Sequence, residues 1–168
     1  PVTLIKQADT AMYASKGAGR NAYRFYTADM NASVQQRLQL ETDMRRGLIG
    51  NEFFLVYQPQ IDLRSGRTMG VEALVRWRDP VRGIVMPADF IPVAEESGMI
   101  HTLGARVLRD ACRQVNAWHL IGMPLRLSVN LSVQQLQHEG WLNIVEEALT
   151  SSGLPSQHLD LETTDSVT

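Results

Sequence analysis

Gly70-Val71-Glu72-Ala73-Leu74-Val75-Arg76-Trp77 is the stretch on which the reading of this chain turns. Its β-branched and aromatic content predicts a strand, and a turn signal at Arg64-Ser65-Gly66-Arg67 precedes it. Side chains alternate along a strand, so Val71, Ala73 and Val75 share one face and Glu72, Leu74 and Arg76 the other. A charge in a core is costly unless it is paired or holds a metal. Two readings stay open on this stretch alone. Either Glu72 and Arg76 stand in water on a half-exposed strand, or they belong to a site.

Working outward, the near-continuous apolar run Phe53 to Tyr57, followed by Gln58-Pro59-Gln60-Ile61, predicts a strand over Glu52–Leu63. The short turn makes it the antiparallel neighbour of the first. Gln58 sits among apolar residues and needs hydrogen bonds if buried. Beyond Trp77, Arg78-Asp79-Pro80, Gly83 and Pro87 predict a long loop. A helix follows over Pro87–Glu96, closed by Ser97-Gly98, with Pro92 expected to divide it into two short turns. A longer amphipathic helix is predicted over Thr102–Leu120, burying Leu103, Val107, Leu108, Ala111, Cys112, Val115 and Trp118. Cys112 on that stripe reads as a small core residue. His101 and His119 at the helix ends are expected to be exposed. Neither these nor His138 and His158 have metal-ligand spacing.

Leu125–Asn130 is predicted as a third strand, Ser132 as the cap of a turn over Val133–Leu136, and Trp141–Thr150 as a helix ended by Gly153 and Pro155. A fourth strand starts at Gln157 and carries Leu159 and Leu161 on one face, Asp160 and Glu162 on the other. At the other end, Leu4, Ala8, Ala11 and Met12 recur at helical spacing, Gly17, Gly19 and Asn21 end that helix, and Tyr23–Tyr26 predict a short strand. Thr27–Gly50 predicts a connector helix capped by Asp29 or Asn31, with Arg45 and Arg46 on a solvated face. It is short for a coiled coil, but pairing with a second copy is one reading of it.

A chain of 168 residues, 44% hydrophobic and 20% charged, has the composition of a soluble globular protein. The net charge of −2 gives no electrostatic argument for a nucleic-acid polymer or a membrane surface as partner. A single cysteine excludes an intrachain disulfide and suits a reducing compartment such as the cytoplasm. No apolar run approaches the roughly 20 residues that span a bilayer, so a membrane anchor would have to lie upstream. The start at Pro1 and the end at Thr168, just after a strand-like run, are expected to be cuts in a longer protein.

Three predicted strands repeat one pattern, apolar residues on one face and a polar ligand-capable residue on the other: Glu72, Asn130 and Glu162. Strands alternating with helices predict parallel βα units, and in a (β/α) barrel the C-terminal strand ends form the active face. Three oxygen donors there suit Mg²⁺ or Mn²⁺, and Arg76 has the planar fork that binds phosphate. Metal-assisted attack on a phosphate ester is the chemistry this suggests. Three unrelated polar residues at strand ends is the other reading.

Tyr57-Gln58-Pro59, Glu72-Ala73-Leu74-x-Arg76-Trp77, Val129-Asn130-Leu131-Ser132 and Leu161-Glu162-Thr163-Thr164-Asp165-Ser166 resemble, in order and spacing, four motif blocks of the EAL-domain cyclic di-GMP phosphodiesterases. Phe90-Ile91-Pro92-Val93-Ala94-Glu95 resembles a family helix between the second and third. The resemblance covers roughly Leu38 to Thr168. It implies that Glu72, Asn130 and Glu162 ligate catalytic metals, that Arg76 holds a substrate phosphate, and that Gln58 and Leu74 line the dinucleotide site. The reaction implied is hydrolysis of cyclic di-GMP to linear pGpG. Asp165 stands where the family usually has a glutamate that braces an active-site loop, and Thr163 where it usually has an aliphatic residue. Ala8-Asp9-x-Ala11-Met12-Tyr13 and Lys16-x-x-Gly19-Arg20-Asn21 resemble the end of a GGDEF domain; Lys16 and Asp9 are expected to be plain surface residues.

The expected architecture is therefore α/β: residues 1–27 a helix–strand remnant, 28–50 a connector helix, and 51–168 the first half of a TIM-like barrel, its first strand antiparallel, broken off after about four strands. The family's paired aspartates and catalytic lysine would lie beyond Thr168, so the isolated chain is expected to be inactive. The competing functions are a non-catalytic cyclic di-GMP receptor and a signalling scaffold that forms a homodimer.

Overall fold

The computed structural model describes residues 4, 5, 7, 8, 11, 12 and 25–163, and the chain divides into two units, Pro1–Met44 and Arg45–Thr168. In the first unit, residues 4, 5, 7, 8, 11 and 12 are helical. Asp9, Lys16 and the expected helix end at Gly17–Asn21 lie outside the described residues. Phe25 and Tyr26 are not in a strand, against expectation. The Tyr26 hydroxyl instead accepts a hydrogen bond from Asn31 Nδ2 at 2.5 Å. Helix α1, Ala28–Ile49, already includes Asp29 and Asn31. The N–H of Met30 bonds to the carbonyl of Thr27, which starts the helix before either residue.

In the second unit the end of α1 is closed by backbone bonds from Gly50 to Arg46 (2.8 Å) and from Glu52 to Gly47 (3.0 Å). Asn51 takes a left-handed φ of 57°, a conformation that suits the residue after a helix. Strand β1, Phe53–Ile61, then pairs antiparallel with β2, Thr68–Asp79, in the register Gln58↔Glu72. Strands β4 (Arg126–Leu131) and β5 (Leu159–Thr163) extend the sheet in parallel, in the order β1-β2-β4-β5.

The predicted long loop after Trp77 contains a strand, β3 (Gly83–Val85), folded back on β2 so that Trp77 faces Val85. Three residues are too few for alternation to reveal a strand. What holds the hairpin is Asp79, whose Oδ1 accepts the N–H groups of Val81 (2.9 Å) and Arg82 (2.6 Å). The described sheet thus has five strands where four were expected.

Helix α2, Pro87–Glu96, runs unbroken through Pro92, contrary to the expected division. A proline removes one backbone bond there, and the buried Phe90, Val93 and Ala94 hold the helix on the sheet on either side of it. Helix α3 is Met99–Leu120, α4 the single turn Val133–Leu136, and α5 Trp141–Ser152; a 3₁₀ turn, Ser156–His158, leads into β5. The apolar sheet face, Val71, Ala73, Leu127 and Val129, packs on Leu108, Ala111, Cys112 and Val115 of α3 and on Trp141 and Ala148 of α5. Each fully buried large apolar side chain here contributes about 1.5–3 kcal/mol. A second cluster stacks Phe53 on Trp77 at 5.4 Å with Phe90 edge-on. There the Trp77 indole N–H donates to Glu52 Oε2 at 3.0 Å.

The histidines depart from expectation. His101 and His119 are half-buried, and each meets another imidazole: His101 with His138 at 4.5 Å between ring centroids, His119 with His158 at 4.6 Å. Helix α3, the loop after α4 and the 3₁₀ turn before β5 bring together rings that lie far apart in sequence. Burial, and next the neighbouring His138 ring, lower the pKa of His101. Cys112 is fully buried, and that burial pushes its thiol up to about 11, so it is an unreactive core residue.

Candidate active site

The face of the sheet away from α3 and α5 carries Gln58, Glu72, Arg76, Ser128, Asn130, Asp160 and Glu162. The pairing register sets Gln58 of β1 beside Glu72 of β2, Glu72 beside Ser128 of β4, and Asn130 beside Glu162 of β5. Directly paired residues point the same way, so Gln58, Glu72, Asn130 and Glu162 form a band across one face. The contact within it is explicit: Asn130 Nδ2 donates to Glu72 Oε1 at 2.6 Å. Glu72 is half-buried, while Gln58, Asn130 and Glu162 are exposed. Leu74 and Arg76 follow Glu72 on the same face; Arg76 is half-buried and donates from Nη1 to the carbonyl of Val75 at 2.8 Å. Asp165 lies outside the described residues.

Strand chemistry explains this placement. One face of β2 is filled by Val71, Ala73 and Trp77, all buried, which leaves Glu72 and Arg76 no choice but the other face. Below the band, Gln60 Nε2 reaches across β2 to donate to Ser128 Oγ at 3.2 Å. It can do so because Gly70 lies between them; a Cβ there would come within 2.8 Å of Gln60 Oε1. Lower still, the exposed Arg126 grips Asp160 with two hydrogen bonds of 3.0 and 2.7 Å.

Beside the middle of β2 and the C-terminal end of β4 the band opens into a cavity of about 470 Å³, walled by Glu72, Leu74, Ile91, Glu95, Asn130 and Gln135 among others. Glu95 and Gln135 were not among the residues expected at a site. Glu95 Oε1 accepts from Ser132 Oγ at 2.6 Å, and Gln135 Oε1 accepts from the N–H of Ser132 at 3.0 Å. The pattern Ser132-x-x-Gln135 is readable as a capping box, but its approach to α2 is a tertiary fact.

Among the described residues, no group of three or more His, Cys, Asp or Glu could hold a metal ion, and no helix is long and apolar enough to cross a membrane. The band offers two carboxylates and an amide, all oxygen donors of the type hard cations take.

Comparison with known proteins bears on this arrangement. Residues 41–168 match the model of the EAL domain. An uncharacterized signaling protein of Caulobacter vibrioides is 44% identical over 97% of this chain, and the bifunctional diguanylate cyclase/cyclic di-GMP phosphodiesterase MucR of Pseudomonas aeruginosa is 42% identical over 97%. The chain spans 20% and 24% of the length of these two relatives. A solved structure of the PaMucR phosphodiesterase in complex with c-di-GMP superposes with a TM-score of 0.73 at 40% identity, over 76% of this chain and 52% of that one. The mixed sheet, with its antiparallel first strand followed by parallel βα units, is the beginning of that barrel-like fold. This chain belongs to the EAL-domain family.

Proposed function

We propose that the chain carries part of the site of a metal-dependent phosphodiesterase that opens cyclic di-GMP to linear pGpG. The observation that carries this reading is the band itself: Glu72, Asn130 and Glu162 on one sheet face, with Asn130 bonded to Glu72 at 2.6 Å. The donor set fits Mg²⁺ or Mn²⁺. The amide nitrogen of Asn130 is engaged with Glu72 Oε1, which leaves the Asn130 Oδ1, the second Glu72 oxygen and the Glu162 carboxylate as oxygens that would hold the cation. When bound, the cation supplies an activated water at neutral pH and neutralises charge developing on the phosphoryl oxygens.

The chain's own residues then do the binding and orienting. Arg76, with its planar fork, holds the phosphate that is attacked. Leu74 presents an apolar edge to the dinucleotide, and Gln58, exposed beside Glu72, offers an amide to it. Asp165, standing where the family usually has a glutamate, braces an active-site loop. Relatives named as phosphodiesterases, with c-di-GMP in one solved complex, support the substrate.

Residues 1–27 belong, on this reading, to the end of a GGDEF domain, 28–50 to a connector and 51–168 to the first half of the EAL domain, in a cytoplasmic protein. Since β5 has a partner on one side alone, the barrel is not closed in the described residues, and the isolated chain lacks turnover. The test is hydrolysis of cyclic di-GMP with Mg²⁺, together with calorimetric binding, for this chain and for a form extended beyond Thr168, each with and without Glu72→Ala. Turnover by the extended form that disappears with Glu72→Ala is the expected result. Turnover by the short chain refutes the shared site, and neither turnover nor binding in the extended form refutes the phosphodiesterase.

A further inference from the structure

We propose that Gln135 is a positioning residue for Asn130, acting through Ser132, and that Gly104 is what lets it be so. This rests on the reading of the band as a phosphodiesterase site, but its first test below does not. Asn130 is exposed at the C-terminal end of β4, where β2 no longer pairs with β4 beyond Ala73↔Val129. An exposed side chain at a strand end is free to swing unless the chain just after it is held. Here that chain is held at Ser132 from two sides. On one, Ser132 Oγ donates to Glu95 Oε1 on α2 at 2.6 Å. On the other, the Ser132 N–H donates to Gln135 Oε1 at 3.0 Å. The bracket therefore ties β4 to α2 and to α4 two residues after the amide that bonds Glu72.

Capping alone does not explain Gln135. A helix of one turn needs little from a cap, and an exposed glutamine would serve. This one is 2% exposed, and its Nε2 is buried without a hydrogen-bond partner. It lies against α3 at Gly104, where the Cβ of any other residue would fall on the amide nitrogen itself. Glycine in the interior of a helix is unfavourable relative to alanine, and an unpaired buried amide is unfavourable as well. Two unfavourable features meet at one contact, and their common consequence is that the Gln135 side chain has one place to lie. Ligand-bearing side chains keep their geometry when the groups behind them are locked in this way.

The first test is made on the metal-free chain by ¹⁵N–¹H spectroscopy. The side-chain amide of Asn130, assigned through Glu72→Ala, is expected to give a resolved, shifted signal because of its short bond to a carboxylate. Gln135→Met, which keeps the volume and removes both amide atoms, is expected to return that signal to the position seen in Glu72→Ala, with the rest of the spectrum retained. Gln135→Glu, which keeps the acceptor for the Ser132 N–H, is expected to preserve it. If Gln135→Met unfolds the chain, Ser132→Ala removes the other half of the bracket without touching the contact at Gly104 and is expected to broaden the same signal. An Asn130 signal unchanged in a folded Gln135→Met or in Ser132→Ala overturns the proposal. So does an equal loss in Gln135→Glu.

In the extended, active form, Gln135→Met is expected to lower kcat about tenfold and raise the half-saturating Mg²⁺ concentration several-fold, with KM for cyclic di-GMP within about twofold. Gln135→Glu is expected to recover most of kcat. A rise in KM alone overturns positioning in favour of substrate contact. If the unmutated extended form has no turnover while the Asn130 signal behaves as expected, the phosphodiesterase reading fails and the bracket stands.

Discussion

Glu72 and Asp79 are carboxylates seven residues apart on the same strand, and the protein treats them in opposite ways. Asp79 is 2% exposed and fully used: Oδ1 accepts the N–H groups of Val81 and Arg82, and Oδ2 meets the guanidinium groups of Arg46 (3.1 Å) and Arg82 (3.3 Å). Glu72 is half-buried, and among the described residues its one side-chain hydrogen bond comes from Asn130. Burial raises the pKa of Asp79, but the backbone N–H groups of Arg82 and Val81, and then the charges of Arg82 and Arg46, outweigh it and hold the carboxyl below its usual range. A carboxylate with every lone pair occupied is a structural part. One with lone pairs to spare, facing a cavity, still has chemistry to offer.

The comparison breaks first at Asp79. Replacing it by alanine leaves two guanidinium groups and two backbone donors facing a void. The expected cost is about 3–4 kcal/mol, toward the lower end for a broken buried pair because both arginines reach water. Urea unfolding measures it, and a loss below about 1 kcal/mol would mean that water replaces the carboxylate without penalty. The pH dependence follows in sign. A carboxyl held lower in the folded than in the unfolded state stabilises the fold above the unfolded value of about 3.9, and that stability fades as pH falls toward the folded pKa. Asp79→Asn is therefore expected to flatten the acid arm of the stability profile below about pH 4 relative to the unchanged protein.

Glu72 gives the opposite balance. Glu72→Gln keeps the shape and an acceptor for Asn130 Nδ2, and it removes the charge. Stability is expected to change by less than about 0.5 kcal/mol, as for a half-exposed position with no buried partner. In the extended form, turnover of cyclic di-GMP is expected to fall by about a hundredfold or more, the scale for losing a charged group that acts in the transition state. If both variants cost stability equally and activity little, Glu72 is a second Asp79, and the distinction drawn from their hydrogen bonds fails.

Much of this was legible in the sequence, for identifiable reasons. Alternation in β2, β4 and β5 placed Glu72, Asn130 and Glu162 on polar faces, and the apolar stripe of α3 supplied much of what covers the other face. Periodicity is a local signal, and those are local facts. What escaped was tertiary. β3 is too short to alternate, and Asp79 looked like the start of a loop because its three partner residues include Arg46, 33 residues away. Gln135 carries the local pattern of a capping box with Ser132, but nothing local shows that Glu95, 37 residues away, holds the same serine. The histidine pairs were hidden for the same reason: each joins α3 to a segment well beyond it in sequence.

The smallest effect sharpens the rule that satisfaction, and not the choice of face, separates structure from site. Ser128 lies on the same face as Glu72 and directly beside it in register, yet it is 2% exposed and its hydroxyl takes the Gln60 amide at 3.2 Å. By the logic of Asp79 it is structural. By position it could pass for part of the band. Gln60 is exposed, so when Ser128→Ala removes its partner the amide can turn to water. The expected loss of stability is about 0.5–1 kcal/mol, the net worth of one neutral hydrogen bond. Turnover in the extended form is expected to stay within about twofold, since no oxygen of the band is moved. A hundredfold fall in turnover, with stability intact, would put Ser128 in the site and make face and register, not hydrogen-bond saturation, the better guide to this sheet.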